Sequence, residues 1–220
     1  MLNENEKEEL YKKHLELVLK ANKIHNLTNI ISYDEAYIMH VEDSLSAARE
    51  INHYDGEMID LGSGAGYPGI PLAIETGLKT TLVESVGKKA DCLKTFINEL
   101  NLESQIFVRN SRIEDVSLKE QCRYNIATAR ALSSLSSLLE LASPLLVENG
   151  ILICYKGEDI DNELKSAISI EDKLGMKFVS NREYELSNGK KHRIVVFKKI
   201  GEAEIKLPRK LGLAQKRPFV

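Results

Sequence analysis

The sequence predicts an α/β fold: a mostly parallel, seven-stranded sheet that finishes in an antiparallel hairpin, preceded by a small helical cap. Three observations predict it. From Gly56 onward, short apolar runs alternate with helical segments, the pattern of βαβ units. A glycine-rich turn, "GSGAG" at 62–66, follows directly on the first of these runs and leads into a helical segment. Near the end, two β-like runs meet at "SNGK" (187–190), with Asn188-Gly189 at its centre, a strong hairpin signal.

Residues 6–21 read as an amphipathic helix, with Leu10, Leu15, Val18 and Leu19 near helical spacing. "NKIHNLTNI" (22–30) breaks that pattern. A second helix is expected over 33–50, where Asp34-Glu35 suits a helix N-terminus. The strands are "MIDL" (58–61), "TTLVE" (80–84), "QIFV" (105–108), "NIATA" (125–129) and "ILICY" (151–155), with helices at 68–76, 88–100 and 133–147 between them. "MKFVSNREYEL" (176–186) and "KHRIVVFKKI" (191–200) form the closing hairpin. Right-handed crossovers put the ends of the first two strands on one rim of the sheet. The chain divides accordingly into a helical cap (1–54), a sheet domain (55–200) and a basic tail (201–220).

The composition bounds the class. At 220 residues, 43% apolar and 29% charged, the chain can bury a substantial core and is neither fibrous nor membranous. No run approaches the roughly 18 apolar residues of a membrane span. The polar, acidic start "MLNENEKEEL" is not a secretory or transit signal. Cys92, Cys122 and Cys154 form no C-x-x-C pair, which fits reduced thiols in the cytoplasm. The net charge of −3 conceals a polarity: from Leu186 to Val220 there are ten Lys/Arg against two Glu. A basic end on an acidic body fits a local polyanion contact; a solvated basic strand and tail is the plainer reading of the same run.

The glycine turn is more specific. A strand ending in Asp60-Leu61, then Gly62, Gly64 and Gly66, then a helix, is a ligand loop at the carboxyl rim of a sheet. The dinucleotide fingerprint G-x-G-x-x-G would place its third glycine at 67, where this chain has Tyr67. Pro68 and Pro71 remove backbone donors where a diphosphate would need them. Glu84 ends the next strand, 22 residues after Gly62, where a carboxylate can accept both ribose hydroxyl protons. S-adenosylmethionine, with a ribose and no phosphate, fits these features, and an antiparallel finish is usual in a methyltransferase sheet. The fold expected is therefore the Rossmann-like, class I S-adenosylmethionine-dependent methyltransferase fold.

"DLGSGAGYPGIPLAI", "HVEDSL", "NLTNI", "ATARALSSL", "YKG" and "LPRKLGLAQKRPF" together resemble the bacterial glucose-inhibited division protein B family, over about Asn26 to Phe219. That resemblance implies a methyltransferase of 16S rRNA acting on guanine N7 in the 530 loop, with 16S rRNA, the 30S subunit or its assembly intermediate as partner. It implies cofactor contacts at Gly62 and Tyr67 for the methionine part, at Ile113 and Glu114 beside the adenine, and at Arg130. The family often has a smaller or aliphatic residue, or Phe, at the position of Tyr67, and a serine at that of Thr128.

Guanine N7 carries a free lone pair, so its methylation needs no general base and catalysis by orientation is expected. Arg130 either binds the cofactor carboxylate or donates to guanine O6; its plain alternative is a surface ion pair. Asp43 either accepts from the guanine N1–H and amino group or is a helix-surface carboxylate. Lys156 faces phosphate or is a snorkelling lysine. In the tail, Lys206, Arg209, Lys210, Lys216 and Arg217 are expected to position phosphates. The five histidines show no ligand spacing, and no metal is assigned. A monomer is expected. Three other readings fit the loop: a methyltransferase of small molecules, a methyltransferase of another RNA site, and an assembly factor that binds RNA without transferring a methyl group.

Overall fold

The computed structural model describes residues 2–219. Seven strands form one sheet: β1 (Glu57–Leu61), β2 (Lys79–Glu84), β3 (Ile106–Asn110), β4 (Tyr124–Arg130), β5 (Leu146–Lys156), β6 (Met176–Glu185) and β7 (Lys191–Lys199). Their order is β3-β2-β1-β4-β5-β7-β6. β1 pairs in parallel with both β2 and β4, while β7 runs antiparallel between β5 and β6. The chain therefore leaves β1 in one direction and returns beside it as β4 from the other. This switch point opens a crevice outside the carboxyl ends of β1 and β4. The sheet is the class I S-adenosylmethionine-dependent methyltransferase fold that the alternation and hairpin predicted.

The first helix, Glu4–His25, is longer than its apolar stripe suggests. Asn3 starts it two residues early through a capping box: the Asn3 side chain accepts from Glu6 N–H at 3.0 Å, and the Glu6 carboxylate accepts from Asn3 N–H at 2.8 Å. Asn22 does not break it but faces outward from its last turn, bonding both backbone groups of Thr28. Leu15 and Val18 are fully buried on its inner face. Tyr11 and Val18 share a cluster with Ile70, Leu93 and Phe96, so cap and sheet domain have a common core.

The second helix is not continuous. An α-turn at Tyr33–Ala36 widens into a π-helix at Tyr37–Glu42, recovers at Asp43–Leu45, breaks, and resumes at Ala48–Ile51. The helix predicted over 133–147 spans only Leu135–Ala142. Ser143 still has helical backbone (φ −49°, ψ −48°), but Pro144 has no N–H with which to continue the ladder, and Leu146-Val147 already belong to β5. Two further short helices, Ile113–Ser117 and Asp161–Ser169, lie outside the elements the sequence predicts.

Candidate active site

β1 delivers Asp60-Leu61 to the switch point, and the chain turns at once through Gly62–Pro68 into the helix Gly69–Thr76. Gly62, Gly64 and Gly66 all take positive φ, at 73°, 56° and 96°. Two of them are enforced by neighbours: a Cβ on Gly62 would lie 2.7 Å from Leu132 Cδ1, and one on Gly66 2.6 Å from Ile70 Cδ1. Gly64 is different. A Cβ there would meet only the Gly62 carbonyl oxygen, at 4.0 Å, and would project into open space.

The loop consumes its own donors. Gly62 and Ser63 N–H both bond Val83 O, Gly66 and Tyr67 N–H bond Ser63 O, and Ile70 N–H bonds Gly66 O. Gly64 N–H bonds Glu84 Oε2 at 3.0 Å. With Pro68 and Pro71 carrying no N–H, little is left to cradle a phosphate, in agreement with the displaced third glycine.

The open space beside Gly64 is a cavity of about 360 Å³. Gly62, Gly64, Tyr67, Glu84, Ile113, Glu114 and Arg130 all lie on its wall. Asp60 and Gly66, also expected at the cofactor, support that wall from behind. Asp60 is fully buried under the loop, its Oδ1 accepting from Thr128 Oγ at 2.7 Å, and burial raises its carboxyl pKa. Gly66 packs against Ile70 and His14.

The cap reaches this wall through two histidines. His14, completely buried, faces Ala65 O at 3.0 Å. A carbonyl only accepts, so Nε2 carries the proton, and Nδ1 has no partner among the described residues. Burial pushes the His14 pKa down to about 3. His40 stacks on the Tyr67 ring at 4.8 Å and its pKa is pushed down to about 4, by burial and then by the charge of Arg130. Both imidazoles are neutral at pH 7.

A second cavity, about 410 Å³, adjoins the first and shares His40, Arg130 and Ala131 with it. Tyr155, Lys156 and His192 line its far side. Arg130 ends β4 at the junction. Its Nη1 donates to Asp43 Oδ2 at 2.7 Å and to Met39 O at 3.0 Å, and its guanidinium lies 5.6 Å from the Tyr67 ring centroid. The Arg130 and Asp43 side chains are only 16% and 4% exposed, so neither is a surface group. Asp43 accepts two further bonds at Oδ1: from Tyr184 O–H at 2.6 Å and from His192 Nδ1 at 2.8 Å. Ala131 takes a φ of 53°, an uncommon conformation for a residue with a Cβ.

Lys156 projects from the rim as expected, but its Nζ is held by Ser133 O at 2.7 Å and Glu163 Oε1 at 2.6 Å. Arg209 faces inward onto Glu140, whereas Lys206, Lys210, Lys216 and Arg217 are exposed. Sequence reasoning missed His40, Tyr184, His192 and Gln215. The histidines looked scattered because their neighbours come from distant elements. Gln215 stood out only as part of the tail.

The rRNA small subunit methyltransferase G family matches residues 7–192. A ribosomal RNA small subunit methyltransferase G from Carboxydothermus hydrogenoformans is 34% identical over 98% of this chain and 93% of its own length. The chain belongs to this family. A second methyltransferase G, from Alkaliphilus metalliredigens, is 36% identical over 93% of this chain and 87% of its own length. Among solved structures, an O-methyltransferase from Bacillus cereus in complex with SAH superposes with a TM-score of 0.60 at 16% identity, covering 84% of this chain and 90% of that one. That likeness speaks for the shared fold. By family the chain is an rRNA methyltransferase, and its sheet is a class I methyltransferase scaffold.

Proposed function

We propose that the protein transfers the methyl group of S-adenosylmethionine to N7 of a guanine in the 530 loop of 16S rRNA. The observation that carries this reading is the pair of adjoining cavities divided by Arg130, His40 and Ala131. One suits the donor and the other the acceptor base, with one short wall between them.

The first cavity fits the donor. Gly64 leaves bare backbone on its wall, Glu84 keeps lone pairs for hydroxyl donors beyond its bonds to Gly64 and Val86 N–H, and the buried Tyr67 hydroxyl has no partner among the described residues. When bound there, S-adenosylmethionine supplies an electrophilic methyl group on a sulfonium leaving group. The residues then need only to hold the acceptor in line, and positioning of this kind contributes roughly 7–11 kcal/mol.

The acceptor side supports a nucleophile that arrives without a proton. Asp43 already accepts from Arg130, Tyr184 and His192. His40, with a pKa near 4, is a weak base at neutral pH, and its Nε2 faces Thr28 Oγ at 3.0 Å. Methylation of an exocyclic amine or a ribose hydroxyl would require a proton acceptor, whereas N7 requires none. Arg130, aimed by Asp43 and Met39 O, is suited to guanine O6 beside N7. Lys206, Lys210, Lys216 and Arg217 supply phosphate contacts outside the pocket.

The test is to map 7-methylguanosine in 16S rRNA from cells with and without the gene, and then to methylate 30S subunits from the deletion strain in vitro. Loss of one site, restored by the purified protein, is expected. An unchanged modification pattern would overturn the assignment.

A further inference from the structure

After β7 the chain does not trail into solvent. Ile200 N–H bonds Gly175 O and Glu204 N–H bonds Lys173 O. The segment 206–219 then folds back across the helix Leu135–Ala142 and reaches the mouth of the first cavity. Three contacts fix it. Arg209 grips Glu140, a carboxylate only 2% exposed, with Nε at 2.6 Å from Oε1 and a second bond from Nη2 to Oε2. The same guanidinium lies 3.9 Å from the Phe219 ring centroid and donates to Arg217 O at 2.9 Å. Ser137 Oγ donates to Ala214 O at 2.8 Å, and Gly212 N–H donates to Glu114 Oε1 at 2.7 Å. Gly212 takes a φ of 70°, which this turn toward the cavity requires. Three residues on, Gln215 lies on the cavity wall that also carries Ile113 and Glu114.

We infer that the tail is a structural part of the cofactor site: Gln215 is a cofactor-contacting residue at the adenosine end, and Arg209, through Glu140, is the positioning residue that holds it there. This rests on the reading of the first cavity as the S-adenosylmethionine site. A carboxamide offers both donor and acceptor, matching the mixed hydrogen-bonding edge of a purine. The tail then has two faces with separate tasks. Gln215 and Gly212 face the cavity region, while Lys210, Lys216 and Arg217 are exposed for a polyanion.

The experiment is calorimetric titration of the full-length protein with S-adenosylhomocysteine, in the absence of RNA. Gln215→Ala, a change at an exposed position, weakens binding about three- to tenfold. Arg209→Gln, which frees the strap, weakens it more than about tenfold and makes the chain after Ile205 more accessible to protease. The Gln215→Ala penalty persists with 5′-methylthioadenosine, which lacks the amino-acid end; a contact to the amino-acid end would lose its penalty with that ligand. The combined Lys210→Ala, Lys216→Ala, Arg217→Ala protein keeps wild-type affinity for S-adenosylhomocysteine. If wild type binds and both Gln215→Ala and Arg209→Gln stay within about twofold of it, the inference is overturned alone. If wild type gives no heat, the cofactor reading falls and this inference falls with it.

Discussion

At Asp43 one carboxylate takes donors from three elements: Arg130 from β4, Tyr184 from β6 and His192 from β7. That convergence defines the Arg130 side chain at the junction of the cavities. Nη1 alone makes both bonds, to Asp43 and to Met39 O, so the planar guanidinium keeps a second terminal nitrogen for an acceptor in the same plane, which an ammonium group lacks. Arg130→Lys is therefore expected to lower kcat/KM by about ten- to a hundredfold, or roughly 1.4–2.7 kcal/mol, with binding of S-adenosylhomocysteine nearly unchanged. Steady-state kinetics and calorimetry on one preparation check it, and full activity of the variant would remove Arg130 from the acceptor side. Gly64 gives a complementary prediction. Gly64→Ala adds a Cβ that clashes with nothing in the fold but enters the cavity, so stability falls by only about 1–2 kcal/mol, the cost of an alanine at positive φ. Cofactor affinity falls at least about tenfold, separating the two effects by denaturation and titration.

His14 and His40 set the acid limit of stability. Each is neutral in the folded protein, with a pKa near 3 and near 4, against about 6.5 unfolded. Their folded pKa values are depressed, so above pH 6.5 both states are unprotonated and nothing is lost. As pH falls below 6.5 the unfolded chain takes up the protons first, and stability declines until the folded pKa is reached. From pH 6.5 to pH 5 each contributes a loss of about 2 kcal/mol. Urea titrations of wild type and His14→Gln across that window check the claim; the variant's own pH dependence should be about half as steep.

Among the elements, the first helix and the tail do the most to complete the site. The helix is held by its buried face: Leu15→Ala should cost about 2–5 kcal/mol, read from the urea midpoint. Because His14 lies next to Leu15 and buttresses Ala65, cofactor affinity should drop in parallel. The tail, with Arg209 committed to Glu140, has four exposed cations available for RNA: Lys206, Lys210, Lys216 and Arg217. Truncation after Ile205 should reduce the slope of log K against log salt for RNA binding by about 3–4, the contribution of four phosphate contacts. An unchanged slope would return these residues to a solvated role.

For the molecule as a whole, the parallel strands were legible because each is a short apolar run between helical ones, and the hairpin because Asn188-Gly189 marks its turn. That residues such as Glu84 and Arg130 meet at one cavity was legible where they sit at strand ends. What escaped has a common cause. The π-helix at Tyr37–Glu42 carries no local signal, since it is tertiary packing that bends an otherwise helical pattern there. The partners of Asp43 lie 141 and 149 residues away, and the inward grip of Arg209 depends on Glu140, 69 residues earlier. Arg209 looked like its exposed neighbours because charge alone does not say which cation faces in.

The placement of His192 and Gln215 has a consequence for synthesis. A ribosome that has produced everything through β5 has already made the glycine turn, Glu84 and Arg130, yet the emerging polypeptide lacks the imidazole that steadies Asp43 and the amide beside the adenosine end. Premature termination anywhere between the end of β5 and Gln215 should therefore leave a scaffold with a recognisable fingerprint and an incomplete site. Readiness is decided after the parallel strands have been made.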